Sequence, residues 1–226
     1  MTKIAEKICL AIIFFGTGIT LFIPLITNSS FFFPFIFPKV LVFRIIVELA
    51  LLAYLLLVFL NSEYRPKFNL VFLSAFIFVA LAFISSIFGP DFHLSFWGDI
   101  ERGEGLILWL HLLIYFIIIF NVLGTKKVWT YFFDLSLFSS ILLSLFGLAQ
   151  AFGVESVLNT AGERVSSTIG NPAFLATYLF FQIAFAGYLF IYRKNILFKI
   201  YYSSLIILFS YIIFATQTRG AMIGLT

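Results

Sequence analysis

Long apolar runs separated by short polar connections make up most of this chain. Seven runs approach the length needed to cross a bilayer, about 20 residues at 1.5 Å each for about 30 Å of hydrocarbon. They are Ile8–Ile26, Val40–Leu60, Asn69–Phe88, Gly105–Leu123, Tyr131–Phe152, Ala173–Tyr192 and Ile200–Ala215, and Ala221–Thr226 reads as the start of an eighth. Backbone groups find no water in lipid, so such runs must be helices or barrel strands. Strands would alternate apolar and polar residues over about 10 positions, and nothing here alternates. The pattern predicts an all-α, polytopic transmembrane helical bundle of about seven spans. The first run, at roughly 19 residues, exceeds the about 7–15 of a signal-peptide core and is expected to stay as a span. The segment Phe31–Pro38 holds Pro34 and Pro38 and is expected to lie irregularly at the outer interface.

Composition narrows the class. Hydrophobic residues are 62% and charged residues 11%, against about 25% charge in a soluble domain. The reading is one transmembrane domain over residues 1–226, with no soluble domain. A net charge of +4 does not indicate nucleic acid, because the basic residues sit scattered at the ends of apolar runs. Their distribution sets orientation instead. With a cytoplasmic N-terminus, the inside connections hold Lys3, Lys7, Arg65, Lys67, Lys126, Lys127, Arg193, Lys194 and Lys199. The outside holds Lys39, Arg102, Arg164 and Arg219, which satisfies the positive-inside bias. Cys9 is the single cysteine and forms no internal disulfide.

The polar residues with chemical potential lie mainly in the two longer outer connections, Gly89–Glu104 and Gly153–Pro172. In the first, Asp99 and Glu101 are able to accept a proton or hold a sugar hydroxyl, Arg102 to grip a phosphate, and His93 to titrate near neutral pH. A solvated loop with Trp97 as interface anchor is the plainer reading. In the second, Thr168 or Asn171 is placed to cap the next helix, with Pro172 in its first turn, while Arg164 has no such structural reason and is a candidate anion contact. Arg219 sits in the polar break Thr216-Gln217-Thr218-Arg219-Gly220. If Thr218 caps the following helix, its free N–H groups and the guanidinium together suit a phosphate. Within the second run, Arg44 and Glu48 are one helical turn apart, and Glu48 lies roughly 12 Å deeper than Val40. A structural ion pair, a proton or ion relay, and binding of a lipid diphosphate by Arg44 all fit. His111, flanked by Leu110 and Leu112, reads as helix packing. Metal-ligand spacings, phosphate loops and dinucleotide motifs are absent, and no cofactor is expected.

Three ordered blocks carry a resemblance. They are Phe96-Trp97-Gly98-x-x-x-Arg102-x-x-Gly105, Ser167-Thr168-Ile169-Gly170-Asn171-Pro172 and Thr218-Arg219-Gly220-Ala221. With the Phe33-to-Lys39 segment they resemble the O-antigen ligase family, which includes O-antigen polymerase relatives. The resemblance implies a membrane glycosyltransferase of the bacterial inner membrane. Such an enzyme moves a glycan from undecaprenyl diphosphate to an acceptor on the periplasmic face, without a metal. The acceptor is lipid A-core, another glycan or a protein. The resemblance also implies a functional arginine at Arg219; the family pattern usually has Ser before it, and Thr218 keeps that hydroxyl. It further implies a large downstream periplasmic loop carrying a histidine and another arginine. The sequence ends at Thr226 inside an apolar run, so it is expected to be the N-terminal part of a longer protein and inactive without that loop. The competing reading is a multi-pass transporter or lipid flippase, for which Glu48 and Asp134 are the acidic candidates.

Overall fold

A computed structural model describes residues 2–99, 102–154 and 161–225. Every described element is helical. The α-helices are α1 Thr2–Thr20, α2 Phe37–Leu60, α3 Leu70–Ile87, α4 Phe92–Trp97, α5 Leu106–Val122, α6 Lys126–Ala151, α7 Pro172–Tyr192, α8 Ile196–Ala215 and α9 Arg219–Leu225. Short 3-10 turns fall at Ile23–Leu25, Ser62–Tyr64 and Ser167–Ile169. Each expected span falls on one of these helices. Five are long and apolar enough to cross a membrane: α2, α3, α6, α7 and α8. α5 is apolar but shorter, and α1 carries Lys3, Glu6 and Lys7 in its first two turns.

Several boundaries differ from the sequence expectation for local reasons. α1 stops at Thr20, short of Ile26, and the chain passes Pro24 in a 3-10 turn. Pro24 has no N–H to continue the helical ladder. The Phe31–Pro38 segment is only partly irregular: α2 already begins at Phe37, with Pro38 in its first turn, where a missing N–H costs nothing. The connection after α3 contains α4, capped by Asp91, whose carboxylate accepts from Leu94 N–H at 2.9 Å. Asparagine starts three of the longer helices. Asn69 accepts from Phe72 N–H at 2.8 Å, Asn171 from Ala173 N–H at 2.9 Å, and Asn195 from Leu197 N–H at 2.9 Å. Each satisfies donors that have no intrahelical partner.

The chain divides into two compact units, Met1–Ile23 with Asn28–Lys126, and Pro24–Thr27 with Lys127–Thr226. In the first unit α1 packs on α2, and α2 and α3 pack on α5. Cys9, Ile13, Ala50, Tyr54, Leu57 and Ile118 form its core. A hydrogen bond of 2.7 Å between Thr20 and Tyr115 joins α1 to α5. In the second unit α7 lies along α8, around Leu143, Leu175, Leu179, Phe209 and Ile212. Ser136 donates to Gln182 at 3.0 Å, and Ser140 meets Tyr178 at 2.9 Å, tying α6 to α7 through buried hydroxyls. Polar bonds of this kind join helices where lipid removes the hydrophobic drive between them. The outward faces carry large apolar residues such as Phe15, Leu52, Phe59 and Ile207, as a lipid-facing surface requires.

At one end of the second unit, Asp134 is held between two partners. Arg193 donates to one carboxylate oxygen at 2.9 Å and Tyr202 to the other at 2.7 Å. The Arg193 guanidinium also covers the Phe198 ring at 5.3 Å. The bond to Asp134 holds the Arg193 guanidinium above its ordinary range, outweighing the opposite effect of burial. Both carboxylate oxygens of Asp134 are thus occupied by clamping α6 to α8 and the α7–α8 connection, which gives this acid a structural task.

Candidate functional site

The site builds up from the last turns of α6. Gln150 is buried there. Its side-chain carbonyl accepts from the N–H groups of Ser166 at 3.1 Å and Ser167 at 2.7 Å. Ser167 in turn donates its hydroxyl to Leu143 O at 2.6 Å, and Thr168 donates to Pro24 O at 2.9 Å. Ser167 has φ +50°, a costly value for a residue with a side chain, and these bonds hold it there. Gly147 provides the space: a Cβ there would press on Val165 Cγ1 at 3.2 Å. Val165 is therefore able to bury its side chain and donate its N–H to Ala215 O at 3.2 Å. The connection before α7 is thereby fixed against the end of α8.

That placement delivers Arg164 to the polar break. Its Nε donates to Thr216 O at 2.9 Å, and its terminal NH2 reaches Thr218 Oγ1 at 3.3 Å. Thr216 caps the C-terminal end of α8, where backbone carbonyls lack partners and a cation is favoured. Gln217 turns the chain with φ +53°, and α9 starts at Arg219, which is exposed. Two permanent cations thus flank Thr218: Arg164 bonded to its hydroxyl, and Arg219 next to it in the chain. Thr218 does not cap as expected. Its carbonyl begins the α9 ladder to Ala221 and Met222, but its hydroxyl faces Arg164 and Thr216. Asn171 acts as the cap of α7, with Thr168 used elsewhere.

The other candidates lie in the first unit. Gly98 and Gly105 pack backbone to backbone, and a Cβ on either would collide with the other. The glycine spacing of the Phe96-to-Gly105 block thus has a steric cause. Asp99 O accepts from the N–H groups of Arg102 at 3.1 Å and Gly103 at 2.6 Å, closing the turn. His93, Asp99 and Arg102 are exposed, and Glu101 lies outside the described residues. Beneath this loop Arg44 donates to Gly103 O. Glu48 meets His111 Nε2 at 3.2 Å. Arg44 and Glu48 therefore do not take each other as direct partners, although they remain close enough to attract. His111 does more than pack: its Nδ1 lies 2.7 Å from Ile107 O. The Glu48 contact spans 63 positions in sequence, so no local pattern points to it.

No family model, characterised protein or solved structure matches this chain. The functional reading therefore rests on the residues and their geometry, beside the motif resemblance.

Proposed function

We propose that the chain belongs to a membrane glycosyltransferase of the O-antigen ligase type, with Arg164 and Arg219 contacting the diphosphate of an undecaprenyl-linked glycan. In this reading the chain crosses the bacterial inner membrane seven times, begins an eighth crossing, and starts in the cytoplasm. The observation that carries the reading is the corner where Arg164, fixed on Thr216 O and Thr218 Oγ1, sits beside the exposed Arg219. Basic residues at an outer corner run against the positive-inside bias, which favours a function for them.

The chemistry suits a guanidinium held in place, that of Arg164, with the exposed Arg219 next to its anchor Thr218 in the chain. An acceptor hydroxyl oxygen forms the new bond to the anomeric carbon. The bond from that carbon to the diphosphate breaks, and the leaving diphosphate takes the electron pair. Arginine presents planar donors to the departing oxygens, and a preorganised cation favours the charge that develops in the transition state. The hydroxyl proton passes to a base, which the resemblance assigns to a histidine in the downstream loop. The acceptor is lipid A-core, a glycan or a protein hydroxyl.

The test is transfer from an undecaprenyl diphosphate donor by protein expressed from its own gene. Arg219→Ala should abolish transfer with membrane insertion intact, and Arg219→Lys should restore little. Wild-type rates in Arg219→Ala would contradict the reading. A second reading, a transporter or lipid flippase, draws on one observation, the exposed carboxylate of Glu48 within α2.

A further inference from the structure

We infer that Glu48 and His111 form a proton-binding site that holds a single proton between them. The argument begins at the other ring nitrogen. His111 Nδ1 lies 2.7 Å from the carbonyl of Ile107. A carbonyl oxygen only accepts, so Nδ1 must carry its hydrogen. The remaining nitrogen, Nε2, faces Glu48 Oε1 at 3.2 Å. If Nε2 and the carboxylate both lacked a proton, two lone pairs would confront each other inside a membrane-spanning segment. If both carried one, with the carboxyl's hydrogen on its other oxygen, an imidazolium would face a neutral acid within the span and lack a counter-charge. One proton satisfies the contact, as imidazolium with carboxylate or as neutral imidazole with carboxylic acid.

The burial of the two partners differs. The His111 side chain is 9% exposed and that of Glu48 64% exposed. The histidine is therefore the enclosed member of the dyad and the carboxyl the open one. The dyad differs in this from the Asp134 clamp, where both carboxylate oxygens are bonded.

The charged and titratable groups on the neighbouring elements are few. Arg44 lies one turn before Glu48 on α2, bonded to Gly103 O. Tyr115 lies one turn after His111 on α5 and is engaged by Thr20 of α1. α3 contributes none, and His93 on α4 is exposed in the outer connection. The charged end of α1 is remote: Glu6 bonds Asn61 at the far end of α2, about 20 Å along the helix from Glu48. An ionisable pair within a span is by default a functional site. The inference stands apart from the glycosyl-transfer reading, since no residue is shared with the Arg164–Arg219 corner.

The test reads both partners in the same sample. In a His93→Gln background, His111 is the sole histidine, and nitrogen-15 NMR of the labelled ring in lipid reports its protonation. The infrared difference between this protein and the same protein carrying Glu48→Gln reports the Glu48 carboxyl. The expected result at neutral pH is one proton: imidazolium with carboxylate, or neutral imidazole with a carboxylic acid band. Neutral imidazole with ionised carboxylate, or imidazolium with carboxylic acid, overturns the inference. In Glu48→Gln the amide N–H replaces the shared proton, and the His111 ring should become neutral with its hydrogen on Nδ1. A persistent imidazolium there also overturns it. If Glu48→Gln does not fold, His111→Gln supplies the infrared reference, and loss of a Glu48 band shift in that protein is the expected outcome. An unchanged Glu48 band contradicts the pairing.

Discussion

Arg164 donates its Nε–H to the carbonyl of Thr216 at 2.9 Å, joining the connection before α7 to the end of α8. The bond makes the arginine part of the site's frame as well as a cation at its surface. Arg164→Ala should therefore lower stability by about 2 kcal/mol, the range for a hydrogen bond to a charged group. Arg164→Lys keeps the charge but not the planar fork and should recover only part of that. Thermal unfolding in detergent checks both, and equal midpoints for Arg164→Lys and the native protein would contradict the geometry.

Gln150 accepts two backbone N–H groups through one oxygen. Gln150→Leu keeps the approximate volume and removes the acceptor, leaving two buried donors without their partner. The expected loss is about 1–3 kcal/mol for each donor left unpaired. Amide hydrogen exchange at Ser166 and Ser167 should accelerate more than at α7. Unchanged protection at those two amides would show that the glutamine does not hold the connection.

The close packing of Gly98 and Gly105 gives a steric prediction. Gly98 has φ +78°, and neither residue has room for a Cβ. Gly98→Ala combines a disfavoured backbone value, of order 1–3 kcal/mol, with a collision against backbone. It should open the Arg102 turn while leaving α3 and α5 helical. Limited proteolysis between α4 and α5 checks this, and native resistance in Gly98→Ala would contradict the packing.

Asp134 and Arg193 are each about a third exposed, at 31% and 29%, so solvent screens their pairing. A double-mutant cycle of Asp134→Asn and Arg193→Gln should give a coupling of about 0.5–1 kcal/mol. Tyr202→Phe should cost about 1 kcal/mol more through the lost hydroxyl donor. Additive single changes would mean that the clamp is geometric only.

The helices were legible because each span is a long apolar run with charges at its ends, and Asn171-Pro172 announced the start of α7 through capping chemistry. The contacts that shape the connections before α5 and α7 were not legible. Arg44 bonds a backbone carbonyl at Gly103, and a carbonyl leaves no mark in a sequence. The Arg44–Glu48 spacing suggested a pair, yet Glu48 finds His111 on another helix, because α2 turns that carboxyl toward α5. Gln150 reads as one polar residue at the end of an apolar helix, and its role appears only once Ser166 and Ser167 fold back upon it. Arg164 and Arg219 were each visible as cations outside the apolar runs. Their shared corner required the end of α8 and the positive φ at Gln217.

In the proposed function, Arg164 and Arg219 face outward and bind a lipid diphosphate. The most direct measurement is transfer of glycan from an undecaprenyl diphosphate donor, made alongside binding of that donor, in protein expressed from its own gene. Native protein should bind and transfer. Arg219→Ala should lose transfer by at least about a hundredfold, equivalent to about 2.7 kcal/mol of transition-state stabilisation, and bind the donor more weakly. Insertion is checked by cysteine labelling at Gln217→Cys and Lys194→Cys in a Cys9→Ser background, with the first reached from outside and the second only after permeabilisation. Native transfer and donor binding in Arg219→Ala, with insertion intact, would contradict the claim.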